Sequence, residues 1–275
     1  MKNPFYFIIF MCLPLVSWAQ YEISYTYTIH RDSIKTRGKI TEEMSVWTQP
    51  QENVYVMNKL IHSFMVSKRY KGMQAGDIQA LLDESQQYFT KMDKGVWKLD
   101  WENNQQELYV NQQNKHFVTN EPLQLPQWKI GKETKIIKEY TVKKATTQFL
   151  GRNWIAWYTE ELPYHAAPFL FYGLPGLIVE LEDENQYMHF QLSAIRTPNE
   201  EEWQNLNEYL SSIPQRSTVL SPKEMQQALQ TMNENYINYL ETSGIQYDEK
   251  DLKKIEQNRA KRQRIFIHPQ YQIVM

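Results

Sequence analysis

Acidic side chains supply most of the reactive material in this sequence. Glu160, Glu161, Glu180, Glu182 and Asp183 gather around the segment Tyr172-Gly173-Leu174-Pro175-Gly176-Leu177-Ile178. Two carboxyl groups in one cleft can divide acid and base roles. A hydrolytic site built from Glu161, Glu180 and Asp183 with a histidine would need those side chains within hydrogen-bond reach in a cleft. Strand geometry argues for a simpler role. Side chains alternate, so Glu180 and Glu182 fall on one face and Val179 and Leu181 on the other, the pattern of a sheet with one wet side. Arg152 is a natural ion-pair partner across a hairpin for one of these acids, and structural pairing is favoured over catalysis.

Other reactive groups are scattered. The histidines are His30, His62, His116, His165, His189 and His268, and no two have the i, i+2 or i, i+4 spacing of strand or helix ligands. His165 and His189 flank the proline-containing segment, yet only N and O ligands remain and none cluster, so neither a metal nor a cofactor is expected. No Gly-x-Ser-x-Gly elbow occurs. Gly173-x-x-Gly176 lacks a following Lys-Ser/Thr and leads into a strand, so it is not a phosphate loop. The one cysteine, Cys12, lies in the apolar N-terminal stretch. A mature chain without it has no disulfide, zinc-thiolate site or cysteine nucleophile. No catalytic residue is assigned, and the expected function is not enzymatic.

Aromatic residues carry the remaining signal. Trp154, Ala156 and Tyr158 share one strand face while Ile155 and Trp157 take the other, and Trp97, Leu99 and Trp101 line a single face. Aromatics on both faces of a strand require each face to be covered, by helices or by a ligand. Core packing is the favoured explanation. A ligand groove is the alternative, with Trp154, Trp157 and Tyr158 as its candidate contacts.

These residues need a sheet to hold them. Residues 1–19 have the build of a secretory leader: Lys2, an apolar run from Phe5 to Val16, and Ser17-Trp18-Ala19 as a cleavage site. The stretch is short for a retained span, so no transmembrane segment is expected after cleavage. Loss of Lys2 takes the formal charge from −2 to −3, too balanced to suggest a nucleic-acid partner. Tyr21 to His30 alternates cleanly, with Ile23, Tyr25, Tyr27 and Ile29 opposite Glu22, Ser24, Thr26 and Thr28, as a half-solvated antiparallel strand does. Ile40, Met44 and Val46 repeat the pattern. Short strands are expected at Asn53–Met57, Ser63–Val66, Tyr88–Met92, Val96–Trp101, Glu107–Val110 and Lys115–Thr119, with a short helix over Gln74–Gln86. Longer strands follow at Glu133–Phe149 (bent in the middle), Asn153–Glu161, Leu177–Glu182 and Tyr187–Ile195. Tight turns sit at Gly151-Arg152-Asn153 and Glu184-Asn185-Gln186.

Ser221-Pro222-Lys223-Glu224 then opens a helix. Its stripe of Met225, Ala228, Leu229, Met232, Tyr236, Tyr239 and Leu240 must bury against the sheet, and Gly244 ends it. A second helix, Asp248 to Arg264, holds Lys253, Lys254, Arg259, Lys261, Arg262 and Arg264 interleaved with acids, the mark of a solvated helix. Leu174-Pro175-Gly176-Leu177 suits a type II turn, with Pro setting φ and Gly accepting φ > 0. Gly173, Leu174, Pro175, Gly176, Leu177 and Ile178 are therefore structural.

The segment from about 117 to 195 resembles the GLPGLI family of secreted Bacteroidetes-type proteins, whose function is unassigned. The likeness rests on Trp128-Lys129-Ile130, Glu133, Ile137, Lys144-Ala145-Thr146, Phe149, Gly151-Arg152, Ala156-Trp157-Tyr158-Thr159, Glu161, Pro163, Pro168, Phe171, the Gly173–Ile178 signature, Glu180 and Asp183. Val142 stands where the family often has cysteine, so no thiol role carries over. The middle is similar in style to LolA-like periplasmic lipoprotein-carrier half-barrels. Together these imply an α+β protein, a twisted and mainly antiparallel half-barrel-like sheet covered by C-terminal helices. A single domain is expected over 20–275, with the sheet to about 200 and helices from about 200 to 265. The implied role is that of an exported, periplasmic or outer-membrane-associated protein that binds an apolar ligand or an envelope partner on its curved sheet. The alternatives are an accessory interaction module of an outer-membrane transport system, or the carboxylate/His hydrolase.

Overall fold

The structure is a computed structural model, and it describes residues 20–30, 38–71, 78–88, 95–112, 115–213, 217–229 and 231–232. The leader, most of Tyr88–Met92, the start of the Gln74–Gln86 helix, the stripe beyond Met232 and the Asp248–Arg264 helix lie outside the described residues.

Two antiparallel meanders build one twelve-stranded sheet. The first runs through β1 (Tyr21–His30), β2 (Lys39–Thr48), β3 (Glu52–Met57), β4 (Val96–Asp100), β5 (Gln105–Gln112) and β6 (Lys115–Pro122). The second runs through β7 (Lys129–Ile137), β8 (Tyr140–Phe149), β9 (Arg152–Thr159), β10 (Leu177–Asp183) and β11 (Met188–Arg196). They join where β11 pairs antiparallel with β1, placing Tyr27 opposite Phe190. A short β12 (Ser217–Val219) adds to β6 in parallel, so the sheet is mostly antiparallel. Its order is β12-β6-β5-β4-β3-β2-β1-β11-β10-β9-β8-β7. The sheet-dominated α+β class expected from the sequence is the one found.

Chain length bends this sheet. β6 and β7 stand ten strand positions apart, which in a flat sheet would be ~48 Å. Residues 123–128 alone join them, and the seven steps from Pro122 to Lys129 reach about 25 Å at full extension. The sheet therefore curls, bringing its two ends towards each other without closing.

The inner face is filled by the chain itself. Residues 160–176, between β9 and β10, cross it with Leu170 and Phe171 fully buried. Phe169 stacks on Tyr55 at 4.2 Å and meets Tyr27 at 5.8 Å and Phe190 at 5.2 Å. Phe171 meets Trp154 at 4.5 Å and Phe149 at 5.6 Å. Asn53 Nδ2 donates to the His165 carbonyl at 2.8 Å and to Tyr172 Oη at 3.0 Å, and Tyr25 Oη donates to the Ile178 carbonyl at 2.9 Å. Helix α4 (222–229) starts with the expected capping box, in which Ser221 and Glu224 exchange side-chain and backbone hydrogen bonds. Met225, Ala228, Leu229 and Met232 then pack into this core, as the stripe predicts.

The outer face carries a smaller second core. Trp47, Val54, Val56, Val96, Tyr109 and Val118 pack against Trp203 and Leu206 of α3 (Glu200–Ser212). Leu60 and Ile61 of α1 (Asn58–Arg69) flank them, and α2 (Ile78–Gln87) lies against α1.

Three local expectations change. Ser63–Val66 lies inside α1 rather than in a strand. Helix α1 has no side-chain N-cap, and its run Ile61-His62-Ser63-Phe64-Met65-Val66 imitates strand composition. Glu133–Phe149 is a hairpin of β7 and β8 rather than one bent strand, turning at Lys138 with φ +53°. A turn made of Lys and Glu gives none of the usual Gly, Asn or Pro signals. Finally, Glu22 and Ser24 of β1 are buried, not solvated. Ser45 Oγ donates to Glu22 at 2.5 Å, and Arg196 pairs with Glu22 and with Glu202 of α3.

Candidate functional site

A cavity of about 370 Å³ opens on the outer face where α1, α2 and α3 meet β4–β6. Helix α1 supplies Leu60, Ser63, Phe64 and Ser67; α2 and its end supply Ser85 and Tyr88. The sheet floor includes Val96, Tyr109, Val110, Asn111 and His116, and α3 with its C-cap contributes Tyr209, Ser212 and Ile213. Pleating explains the floor: Tyr109 and Asn111 share the outer side of β5, and register places His116 of β6 directly opposite Asn111. Phe64 and Tyr209 meet at 5.4 Å across the helix pair, which the Lys68–Glu208 ion pair holds together.

The polarity of this cavity is specific. Among the described residues, none that lines it is Asp, Glu, Lys or Arg. Lys68, Lys71, Glu200 and Glu208 lie instead in the open groove beside it, between α1 and α3. Ser67 and Ser212 hydroxyls donate to the backbone carbonyls of Phe64 and Tyr209, at 2.8 and 2.6 Å. The side chains of Ser63, Asn111, His116 and the Tyr209 hydroxyl have no hydrogen-bond partner among the described residues. Burial pushes the Tyr209 phenol up, so it remains a neutral donor at physiological pH. The site can hold a neutral group by hydrogen bonds and ring contacts.

No local signal in the sequence marks this cavity: the strand-like composition of Ser63–Val66 disguises one wall, which belongs to α1, and the other residues come together only through pairings distant in sequence.

The aromatic candidates do not converge. Trp154 and Tyr158 are 0% and 1% exposed, beneath residues 160–176, and Trp154 Nε1 donates to the Phe149 carbonyl at 2.9 Å. Trp157 is on the opposite face with the Lys135 ammonium 4.1 Å from its ring centre. The carboxylates are divided similarly. Asp183 is buried, accepting from Arg152 at 3.0 Å and from the backbone N–H groups of Tyr187 and Met188 at 2.6 Å, so Arg152 takes the ion-pair role expected of it. Glu180 faces outward, 3.0 Å from His189 and 2.8 Å from Lys135. Its carboxyl is held down to about 2, chiefly by the His189 hydrogen bond and then by Lys135. Glu161 accepts from the Thr141 N–H at 3.0 Å. Glu180 and Asp183 thus occupy opposite faces, and Glu161, Glu180 and Asp183 do not assemble a cleft. Among the described residues, no three His, Cys, Asp or Glu side chains are placed to hold a metal ion.

The signature bend lies at the surface, with Gly173 and Pro175 exposed and Leu177 and Ile178 buried. Gly176 has φ +156°, and a Cβ there would overlap the Thr159 carbonyl oxygen and sit 2.7 Å from its carbon. Gly173 has φ +100° beside Trp128, whose Nε1 donates to the Tyr172 carbonyl at 2.8 Å. Glycine is needed here for backbone approach.

Comparison with solved structures places this arrangement beside PNGF-II. The fold is similar to the structure of PNGF-II in the P21 space group at a TM-score of 0.51 and 14% identity, over 78% of this chain and 34% of that one. The structure of PNGF-II in the C2 space group matches at 0.46 and 15%, over 74% of this chain and 31% of that one. The chain spans about a third of the length of these PNGF-II chains. At such identity the likeness is one of fold. No family model matches the chain, and no curated protein sequence matches it. No described helix is long and apolar enough to cross a membrane.

Proposed function

We propose that this is an exported, non-catalytic envelope protein of the GLPGLI type, a binding module periplasmic or outer-membrane-associated in location. The curled sheet would serve as a half-barrel-like scaffold. The observation that carries the reading is the distribution of filled and open space. Residues 160–176 and α4 occupy the inner face with the chain's own side chains, whereas the outer cavity presents aromatic walls and polar groups that have no partner among the described residues. Binding therefore belongs on the helix-covered side, in place of the inner face where a LolA-like carrier would hold its cargo. The divided carboxylates support the non-enzymatic part of the reading.

Two measurements test this. Residues 1–19 fused to a phosphatase that works only outside the cytoplasm should give active enzyme; an inactive fusion defeats export. Native mass spectrometry of the chain from Gln20, released from envelope fractions, should show a bound small molecule that Ser63→Trp displaces.

One feature favours the second reading, an accessory interaction module. Strand β7 is a nine-residue sheet edge, with Ile130 and Ile136 at 54% and 75% exposure. Such an edge can take a partner strand, though Lys129, Lys132 and Lys135 along it are also the usual protection against pairing. Crosslinking in native envelopes from a residue on β7 would yield a defined partner if this reading holds.

A further inference from the structure

We infer that the outer cavity takes a neutral, hydroxyl-rich ring with one apolar face, a single sugar unit, in preference to an acyl chain or an ion. This rests on the cavity being the binding site, and it follows from matching each wall to the ligand chemistry that would satisfy it. An ion is disfavoured because, among the described residues, no formally charged side chain lines the space, and Lys68, Lys71, Glu200 and Glu208 line the neighbouring groove instead. An acyl chain is disfavoured because it would leave Ser63, Asn111, His116 and Tyr209 without partners, and an unmet buried donor or acceptor carries its full desolvation cost. A flat ring with peripheral hydroxyls meets both demands. The tilted Phe64–Tyr209 pair offers an apolar wall for its C–H face. The Asn111 amide, facing His116 across the strands, can donate and accept at once, as vicinal hydroxyls require. Size agrees: about 370 Å³ lies at the small end of the roughly 300–1,000 Å³ range of ligand pockets.

The test uses the whole mature chain and ligand-observed NMR. The probes are the methyl glycosides of glucose, galactose and mannose, with N-acetylglucosamine, beside dodecanoate and inorganic phosphate. Saturation transfer to at least one sugar is expected. Its affinity should fall about tenfold in Asn111→Ala, the loss of one or two neutral hydrogen bonds, and vanish in Ser63→Trp. Tyr209→Phe, which keeps the ring, should weaken binding several-fold while circular dichroism stays unchanged. Dodecanoate or phosphate binding that Ser63→Trp abolishes, with all sugars silent, overturns the sugar assignment and leaves the binding-module reading standing. Silence from every probe, together with no co-purifying molecule, overturns both. Sugar binding indifferent to all three substitutions overturns the cavity as its site.

Discussion

Gly176 shows at the residue scale how a single missing Cβ holds the signature bend against the end of β9. A methyl group there overlaps the Thr159 carbonyl, so Gly176→Ala must displace the start of β10, which register pairs with Thr159 through Leu177. We expect a loss of about 2–4 kcal/mol in urea unfolding, from steric overlap added to unfavourable φ. Gly151→Ala is the control: its φ is +75° but nothing lies within 4 Å, so about 1 kcal/mol is expected. Equal losses at the two sites would mean that close approach is not what the bend requires. Glu180 makes a pH-dependent prediction. Its folded-state carboxyl is depressed to about 2 from 4.5, so the ionised form is favoured by folding. Its contribution is fully present above about pH 4.5 and lost as pH falls towards 2. Unfolding free energies measured across that window should decline less steeply in Glu180→Gln than in the unsubstituted protein.

At the scale of elements, exposure distinguishes strands that tolerate change from strands that do not. Ile136 of β7 is 75% exposed on a sheet edge. Ile136→Lys should leave stability within about 0.5 kcal/mol, while abolishing any crosslink to a partner strand. The sequence made some elements legible and hid others for physical reasons. Alternating runs exposed β1, β2 and β9, because each has an inner face of large apolar side chains. The Ser-Pro-x-Glu start and its stripe announced α4. Helix α1 was obscured because it begins straight from β3 with Met57 as an uncapped N-terminus. The β7–β8 turn was obscured because Lys138 adopts positive φ without glycine or asparagine. The buried Glu22 was unreadable for a different reason: its partners, Ser45 and Arg196, come from β2 and the far end of β11. The cavity shares that difficulty, since Ser63, Asn111, His116 and Tyr209 have nothing in common locally. Asp183 was the accessible case, since a hairpin brings Arg152 to it.

The whole molecule is held together by a segment that belongs to the second meander but packs on the first. Phe169 stacks on Tyr55 of β3 and touches Tyr27 of β1, while Phe171, two residues on, lies against Trp154 of β9. The β1–β11 ladder is another tie between the halves. If residues 160–176 couple the meanders, neither half has a complete core without the other, and unfolding should be one cooperative event. Tryptophan fluorescence reports on both halves through Trp97 and Trp154, and far-ultraviolet circular dichroism reports on the sheet as a whole. Their urea transitions should coincide. Phe169→Ala should lower both midpoints together, with a loss of about 3–5 kcal/mol in unfolding free energy, because it removes an aromatic ring shared by β1, β3 and β11. Two resolved transitions, with only one of them moved by Phe169→Ala, would mean that the meanders are separate folding units and that the inner segment is a lining rather than a clamp. A single shared shift would identify the filled inner face, and Phe169 within it, as the clamp between the two meanders.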